Sequence, residues 1–130
     1  MPHIAHIALW TDDLVRLATF YATCFGAEVG AAYVNPAKGF TSRFLRFGNG
    51  VNIELMHSTT LSLTPSAPGA QRMGLTHLAI AVGAEETVDA LTERLRAAGH
   101  RVVDGPRRTG DGYYESVVLD PDGNRIEITV

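Results

Sequence analysis

The feature that most constrains this chain is an internal duplication. His6-Ile7-Ala8-Leu9 near the N-terminus is answered by His77-Leu78-Ala79-Ile80, and Asn52-Ile53-Glu54-Leu55 by Arg125-Ile126-Glu127-Ile128. From His6 to Glu54 is 48 positions and from His77 to Glu127 is 50. Two similar halves in 130 residues imply one supersecondary unit used twice.

Each half reads as β-α-β-β-β. In His3–Trp10, Ala5, Ile7 and Leu9 share one parity and His6 and Ala8 the other, which is the period of a strand. Thr11-Asp12-Asp13 offers helix caps. Leu14, Leu17, Ala18, Tyr21, Ala22 and Phe25 then recur on one helical face, with Gly26 at the position that favours a left-handed C-terminus. Strands are predicted over about 28–34, 41–47 and 51–57. The second half predicts a strand over 76–82, a helix over 85–98 closed by Gly99, and strands near 100–103, 113–119 and 125–130. Asp120-Pro121-Asp122-Gly123 suits a type I turn. Residues 58–73, with Pro65 and Pro68, read as a linker or mobile loop. The expected fold class is α+β: a single domain over 1–130 made of two βαβββ units, about 3–57 and 74–130, with curved mixed sheets around a concave site.

Composition removes several functions. Fourteen acidic against eleven basic residues give a net charge of −3, and the pair Arg107-Arg108 is the longest basic run, so a nucleic-acid partner is not expected. No apolar stretch approaches the ~18 residues of a membrane span. The N-terminus has neither the charged nor the apolar region of a secretory signal. One cysteine, Cys24, excludes a disulfide within the chain. The expectation is a cytoplasmic protein, with no membrane association.

Four residues carry the chemistry. His6, Glu54, His77 and Glu127 each lie on the parity opposite to strongly apolar neighbours, Ile53 and Leu55 beside Glu54 and Ile126 and Ile128 beside Glu127. The apolar parity packs on the helices, so the imidazoles and carboxylates face the concave side of the sheet. Two nitrogens and two oxygens suit a divalent first-row ion (Ni, Zn, Co, Mn or Fe) rather than a Cys-rich structural zinc site. Any one of these residues alone is better read as a solvated strand position; the repeated pair is what argues for a metal. His3, His57 and His100 fall outside the repeat and are read as structural or exposed, His57 close to the pocket mouth. Cys24 is read as packing. Arg43, Tyr113 and Tyr114 are candidates for the pocket wall, with packing or surface roles as the alternative.

The stretches Ala5-His6-Ile7-Ala8, Ile53-Glu54-Leu55, Leu75-Thr76-His77-Leu78-Ala79 and Asp120-Pro121-Asp122-Gly123-Asn124-Arg125-Ile126-Glu127 together resemble the vicinal oxygen chelate superfamily, and within it the glyoxalase I type. The resemblance covers essentially the whole chain. It implies the glyoxalase-like fold, a metal held by His6, Glu54, His77 and Glu127, and a homodimer acting on a small molecule. It further implies a lyase of the lactoylglutathione lyase type, which converts the hemithioacetal of a 2-oxoaldehyde and a thiol into a 2-hydroxyacyl thioester through an enediolate. Glu127, with Glu54 as the other candidate, would move the proton.

Two positions depart from the glutathione-dependent pattern. Ala8-Leu9-Trp10 stands where those members carry an Arg, and Met56-His57-Ser58 where they carry an Asn. Both departures weigh against glutathione as the thiol. Alternatives on the same scaffold are an extradiol dioxygenase using His6, His77 and Glu127, a fosfomycin-type thiol transferase, and a metal-free binding protein of the bleomycin-resistance kind. The second carboxylate, Glu54, disfavours the first two. The His/Glu quartet disfavours the third.

Overall fold

Unit 1 (1–64) and unit 2 (65–130) each build one sheet with a helix against one face. The computed structural model describes residues 1–61, 67–71 and 73–130. In unit 1 the order is β1 (His6–Trp10), α1 (Leu14–Phe25), β2 (Glu28–Val29), β3 (Tyr33–Asn35), a one-turn 3-10 helix (Pro36–Lys38), β4 (Phe40–Arg46) and β5 (Asn52–Ser58). Unit 2 repeats the scheme with β6 (Leu78–Ala81), α2 (Glu85–Ala97), β7 (Val102–Arg108), β8 (Tyr114–Leu119) and β9 (Arg125–Thr129).

The duplication persists in the sheet order. The first sheet runs β1-β5-β4-β2, with β3 also on β4, and the second runs β6-β9-β8-β7. In each, the first strand of the unit pairs in parallel with the last, and the remaining pairings are antiparallel. Parallel pairing needs a crossover, which the helix supplies. This topology brings each repeated Glu next to the strand that follows its His: Glu54 is opposite Ala8, two residues after His6, and Glu127 is opposite Ala79, two residues after His77.

Local signals account for the helices. Asp13 caps α1, its side chain accepting from the Arg16 N–H at 2.9 Å, and Gly26 closes the helix at φ 68°. No side chain caps α2 at Ala84. Instead, Glu85 and Glu86 in its first turn and Arg94 and Arg96 near its end complement the helix dipole.

The cores sit between each helix and the apolar parity of its sheet. Leu17 and Tyr21 of α1 are fully buried with Leu45 and Leu55; Val88 and Leu95 of α2 are buried with Val118, Ile126 and Ile128. Each such side chain contributes roughly 1.5–3 kcal/mol relative to exposure. Thr92 is the polar exception under α2. Its hydroxyl donates to the Val88 carbonyl at 2.6 Å, so it accepts from Ser116 Oγ at 2.7 Å.

Some boundaries differ from the sequence reading. The strand expected over 28–34 is broken into β2 and β3: Gly30 continues the β2 ladder onto Phe44, but β3 pairs with β4 one residue out of that register, so an extra residue is accommodated between Gly30 and Tyr33. The strand expected to stop at Val103 continues to Arg108, with register shifts between Val102 and Arg107 that accommodate the extra residues around Gly105-Pro106. The Asp120–Gly123 turn closes as expected, with the Gly123 N–H on the Asp120 carbonyl at 2.9 Å. Part of the expected linker lies outside the described residues. Its described portion, 67–71, is fastened to that turn: the Gly69 N–H donates to the Gly123 carbonyl at 3.1 Å and Arg125 Nη1 to the Gly69 carbonyl at 3.3 Å.

Candidate metal-binding pairs

In unit 1, His6 opens β1 and Glu54 lies in the middle of β5. Their side chains meet across the parallel ladder, Nε2 to Oε2, at 3.4 Å. The imidazole stands edge-on to the Phe44 ring, with centroids 5.4 Å apart, which restricts its orientation. In unit 2, His77 immediately precedes β6, and its Nε2 lies 3.1 Å from Oε2 of Glu127 on β9. Both pairs occupy the sheet face turned away from the helix, because Ile53, Leu55, Ile126 and Ile128 hold the other face in the core. All four side chains retain solvent access.

The donor chemistry fits a metal. Two adjacent ligands, each about 2.1 Å from one ion, are themselves about 3.0–3.4 Å apart in octahedral or tetrahedral geometry. The observed 3.1 and 3.4 Å match that spacing. Each unit brings two donors together. Among the described residues, no three His, Cys, Asp or Glu side chains converge as a ligand set.

Unit 2 adds a carboxyl that the sequence reading passed over. Glu115 on β8 is only 8% exposed and hydrogen-bonds Glu127. Burial, then this hydrogen bond and the charge of Glu127, push its carboxyl up from the ordinary carboxylate range, against the opposing pull of Arg107 and His77. Arg107 Nη1 stands 3.8 Å from Glu115 Oε1, while its Nε donates to Asp104 Oδ2 at 2.7 Å and holds that carboxyl below its usual range. A period-two signal was present: Glu115 shares parity with Val117, which lies opposite Glu127. Finding it required knowing that β8 and β9 are neighbours in this register.

Three secondary candidates face the other way. His57 pairs in register with Thr41 on the helix side, and its Nδ1 lies 3.0 Å from the Thr11 carbonyl oxygen, so it stands off the His6 face. Arg43 pairs with Leu55 and donates to the Gly30 carbonyl at 3.0 Å; it borders a cavity of about 260 Å³ beside α1, lined also by Val15, Ala18, Ala22 and Val29. The Tyr114 hydroxyl donates to Asp89 of α2 at 2.6 Å, and the Arg108 guanidinium lies 5.5 Å from the centre of its ring. Each follows strand alternation, which puts it one residue out of phase with the His/Glu face. Tyr113 is exposed ahead of β8, and Cys24 is partly buried on α1.

Comparison with known proteins agrees with this fold. The model of the Glyoxalase/Bleomycin resistance protein/Dioxygenase superfamily matches residues 3–128. YqjT, an uncharacterized protein of Bacillus subtilis (strain 168), is 40% identical over 127 residues, covering 95% of this chain and 94% of its own. A putative lactoylglutathione lyase of Brassica oleracea var. gemmifera is 29% identical over 127 residues; the match covers 95% of this chain but 42% of the plant protein. Glyoxalase I from Zea mays superposes with a TM-score of 0.77 at 25% identity, over 97% of this chain and 43% of that one. The chain thus spans less than half the length of these two plant proteins.

Proposed function

Since the chain belongs to the glyoxalase/bleomycin resistance/dioxygenase superfamily, we propose that it is a divalent-metal-dependent lyase or isomerase acting on a small substrate with two neighbouring oxygens, such as a 2-oxoaldehyde–thiol hemithioacetal. The observation that carries this reading is the repeated His–Glu contact, 3.4 Å in one unit and 3.1 Å in the other, on the polar face of each sheet.

On this reading the two units are halves of one domain, and His6, Glu54, His77 and Glu127 hold a single ion, within one chain or across a homodimer. Held by these residues, a divalent ion would supply Lewis acidity for the charge that builds on the neighbouring oxygens. The chain's own work is proton movement. Glu127 Oε2 removes the proton from the carbon beside the carbonyl and returns it to the adjacent carbon. Glu54 is the alternative base. Glu115, hydrogen-bonded to Glu127 on a buried flank, holds that carboxylate in position.

Thiol choice departs from glutathione. By the family resemblance, Ala8-Leu9-Trp10 of β1 stands where glutathione-dependent members carry a cation for the thiol carrier's carboxylate, and an indole cannot make that pair.

Metal analysis and turnover test the proposal together. Protein purified without chelator is expected to hold about one divalent ion per site and to convert 2-oxoaldehyde adducts of at least one thiol into thioester. Loss of both the ion and turnover in His77→Ala is the expected companion result. Protein that binds no ion under several loading conditions, yet retains ligand affinity, would be a binding module instead.

A further inference from the structure

The two units differ on the helix side of their sheets, away from the His/Glu pairs. In unit 1 a cavity of about 260 Å³ is lined by α1, the edge strand β2 and β4. Val15, Ala18, Ala22 and Thr23 of α1 and Val29 of β2 form its walls, and half-buried Arg43 of β4 is the one charged residue among the described residues that line it. Arg43 Nη1 donates to the Gly30 carbonyl at 3.0 Å, which fixes the guanidinium; among the described residues no carboxylate pairs with it. The duplication supplies a comparison within the chain. Arg43 lies opposite Leu55, which follows Glu54; its counterpart Ser116 lies opposite Ile128, which follows Glu127. Ser116 is buried and hydrogen-bonded to Thr92, so α2 closes onto its sheet there. Counted from His6 and His77, 71 positions apart, the four α1 wall residues become Glu86, Asp89, Glu93 and Arg94 in α2, all exposed. The same helix face is charged and solvated in unit 2, and apolar around a cation in unit 1.

We propose that this cavity is a binding site for a small aliphatic carboxylate, its oxygens on the Arg43 guanidinium and its chain along α1. Charge sets the head group. A guanidinium beside apolar walls, with its own counter-charge missing, is completed by a carboxylate through charge-assisted hydrogen bonds, whereas a neutral ligand leaves it unpaired. Size sets the body. Val15 to Thr23 spans about 12 Å of helix, and the volume lies below the ~300–1,000 Å³ of sites for drug-sized ligands, which suits a chain of about six to eight carbons. Val15 is 73% and Val29 39% exposed, so the walls are open to such a chain. The site is on the face of β4 opposite to Phe44 and the His6–Glu54 pair, and it does not depend on the chemistry proposed above.

Butanoate, hexanoate, octanoate and octan-1-ol, titrated into the full chain by calorimetry before and after chelation, test the site, with amide NMR shifts locating it. The expected result is saturable octanoate binding, unchanged by chelation, with shifts over 15–23 and at Arg43. Each added CH₂ should tighten binding about 2- to 4-fold. Arg43→Met should weaken octanoate about 10- to 100-fold and leave octan-1-ol unchanged, and Arg43→Lys should restore part of the loss. Ala22→Glu, which copies Glu93 of unit 2, should abolish octanoate binding; Val15→Glu, at a more exposed position, does the same if Ala22→Glu does not fold by circular dichroism. Equal affinity for octanoate and octan-1-ol, loss of binding on chelation, shifts centred on His6 or His77, or an octanoate affinity that survives Arg43→Met and the helix variants overturns the site. Absence of saturable octanoate binding also overturns it, including the case in which a second copy covers the cavity, seen by sedimentation as a dimer that Ala22→Glu or Val15→Glu dissociates.

Discussion

His77 Nε2 lies 3.1 Å from Glu127 Oε2; Glu127 is on β9, whose opposite face is buried under α2, and His77 immediately precedes β6. Leu78, next to His77, pairs with Ile126, next to Glu127, so the start of the parallel β6–β9 ladder brings the two side chains together. Glu127→Gln keeps an oxygen at this place but removes the base. Turnover is expected to fall at least 100-fold in the metal-loaded protein, the scale of general base catalysis. Steady-state kinetics beside metal quantification separates this from simple loss of the ion. Glu54→Gln with the larger drop would exchange the roles of the two carboxylates.

If both pairs serve one ion, His6→Ala and His77→Ala should each abolish the same single equivalent of metal. Titration with a colorimetric chelator checks this. Independent half-occupancy in the two variants would mean two separate sites.

Gly105 holds β7 against β8 at a point where a side chain does not fit. Its φ is +76°, and an added Cβ would stand 2.6 Å from the Glu115 carbonyl oxygen and 3.0 Å from Ser116 Cα, both backbone atoms. Gly105→Ala is expected to destabilise by at least about 1–3 kcal/mol and to loosen the strand that carries Glu115. Urea unfolding measures the first effect, and hydrogen exchange at Glu115 and Ser116 the second.

The buried Thr92–Ser116 hydrogen bond predicts non-additivity. Thr92→Val leaves the Ser116 hydroxyl without its acceptor under α2, at a cost of about 1–3 kcal/mol. Adding Ser116→Ala removes the stranded group, so the double variant should be less destabilised than the sum of the singles. Denaturant midpoints of the four proteins close the cycle. An additive result would remove the interaction from the account.

Tyr114 ties β8 to α2 through Asp89 and adds an alkaline dependence to the stability of unit 2. The hydrogen bond to Asp89 comes first among the causes that raise its phenol above 10.0, followed by burial and by the charges of Asp89 and Glu85; Arg108 opposes them. A raised folded-state value means the contribution is complete below about pH 10 and is lost as pH climbs through the higher folded value. Thermal melts from pH 8 to 11 should show a steeper alkaline decline for the native chain than for Tyr114→Phe. Parallel declines would contradict the assignment.

Much of this was written in the sequence. Period-two alternation around Ile53-Glu54-Leu55 and Ile126-Glu127-Ile128 determines which side chains leave the core, since one face must pack on a helix. Repetition of the His and Glu at near-equal spacing determines that each unit carries one of each. Those are local facts, and the two contacts at 3.4 and 3.1 Å follow from them once the first and last strands of each unit pair. What lies beside those contacts was decided only by tertiary structure. The burial of Glu115 depends on the antiparallel β8–β9 register, and the ring contacts of Phe40 with Trp10 and Tyr33 join three strands. His57, Arg43 and Tyr114 turned to the helix face for the same reason: a chemistry-bearing residue one position out of phase is carried through the sheet to the other side. Alternation within a strand can be read from one segment, but strand order and register are relations between distant segments, fixed by the packing that no single segment contains.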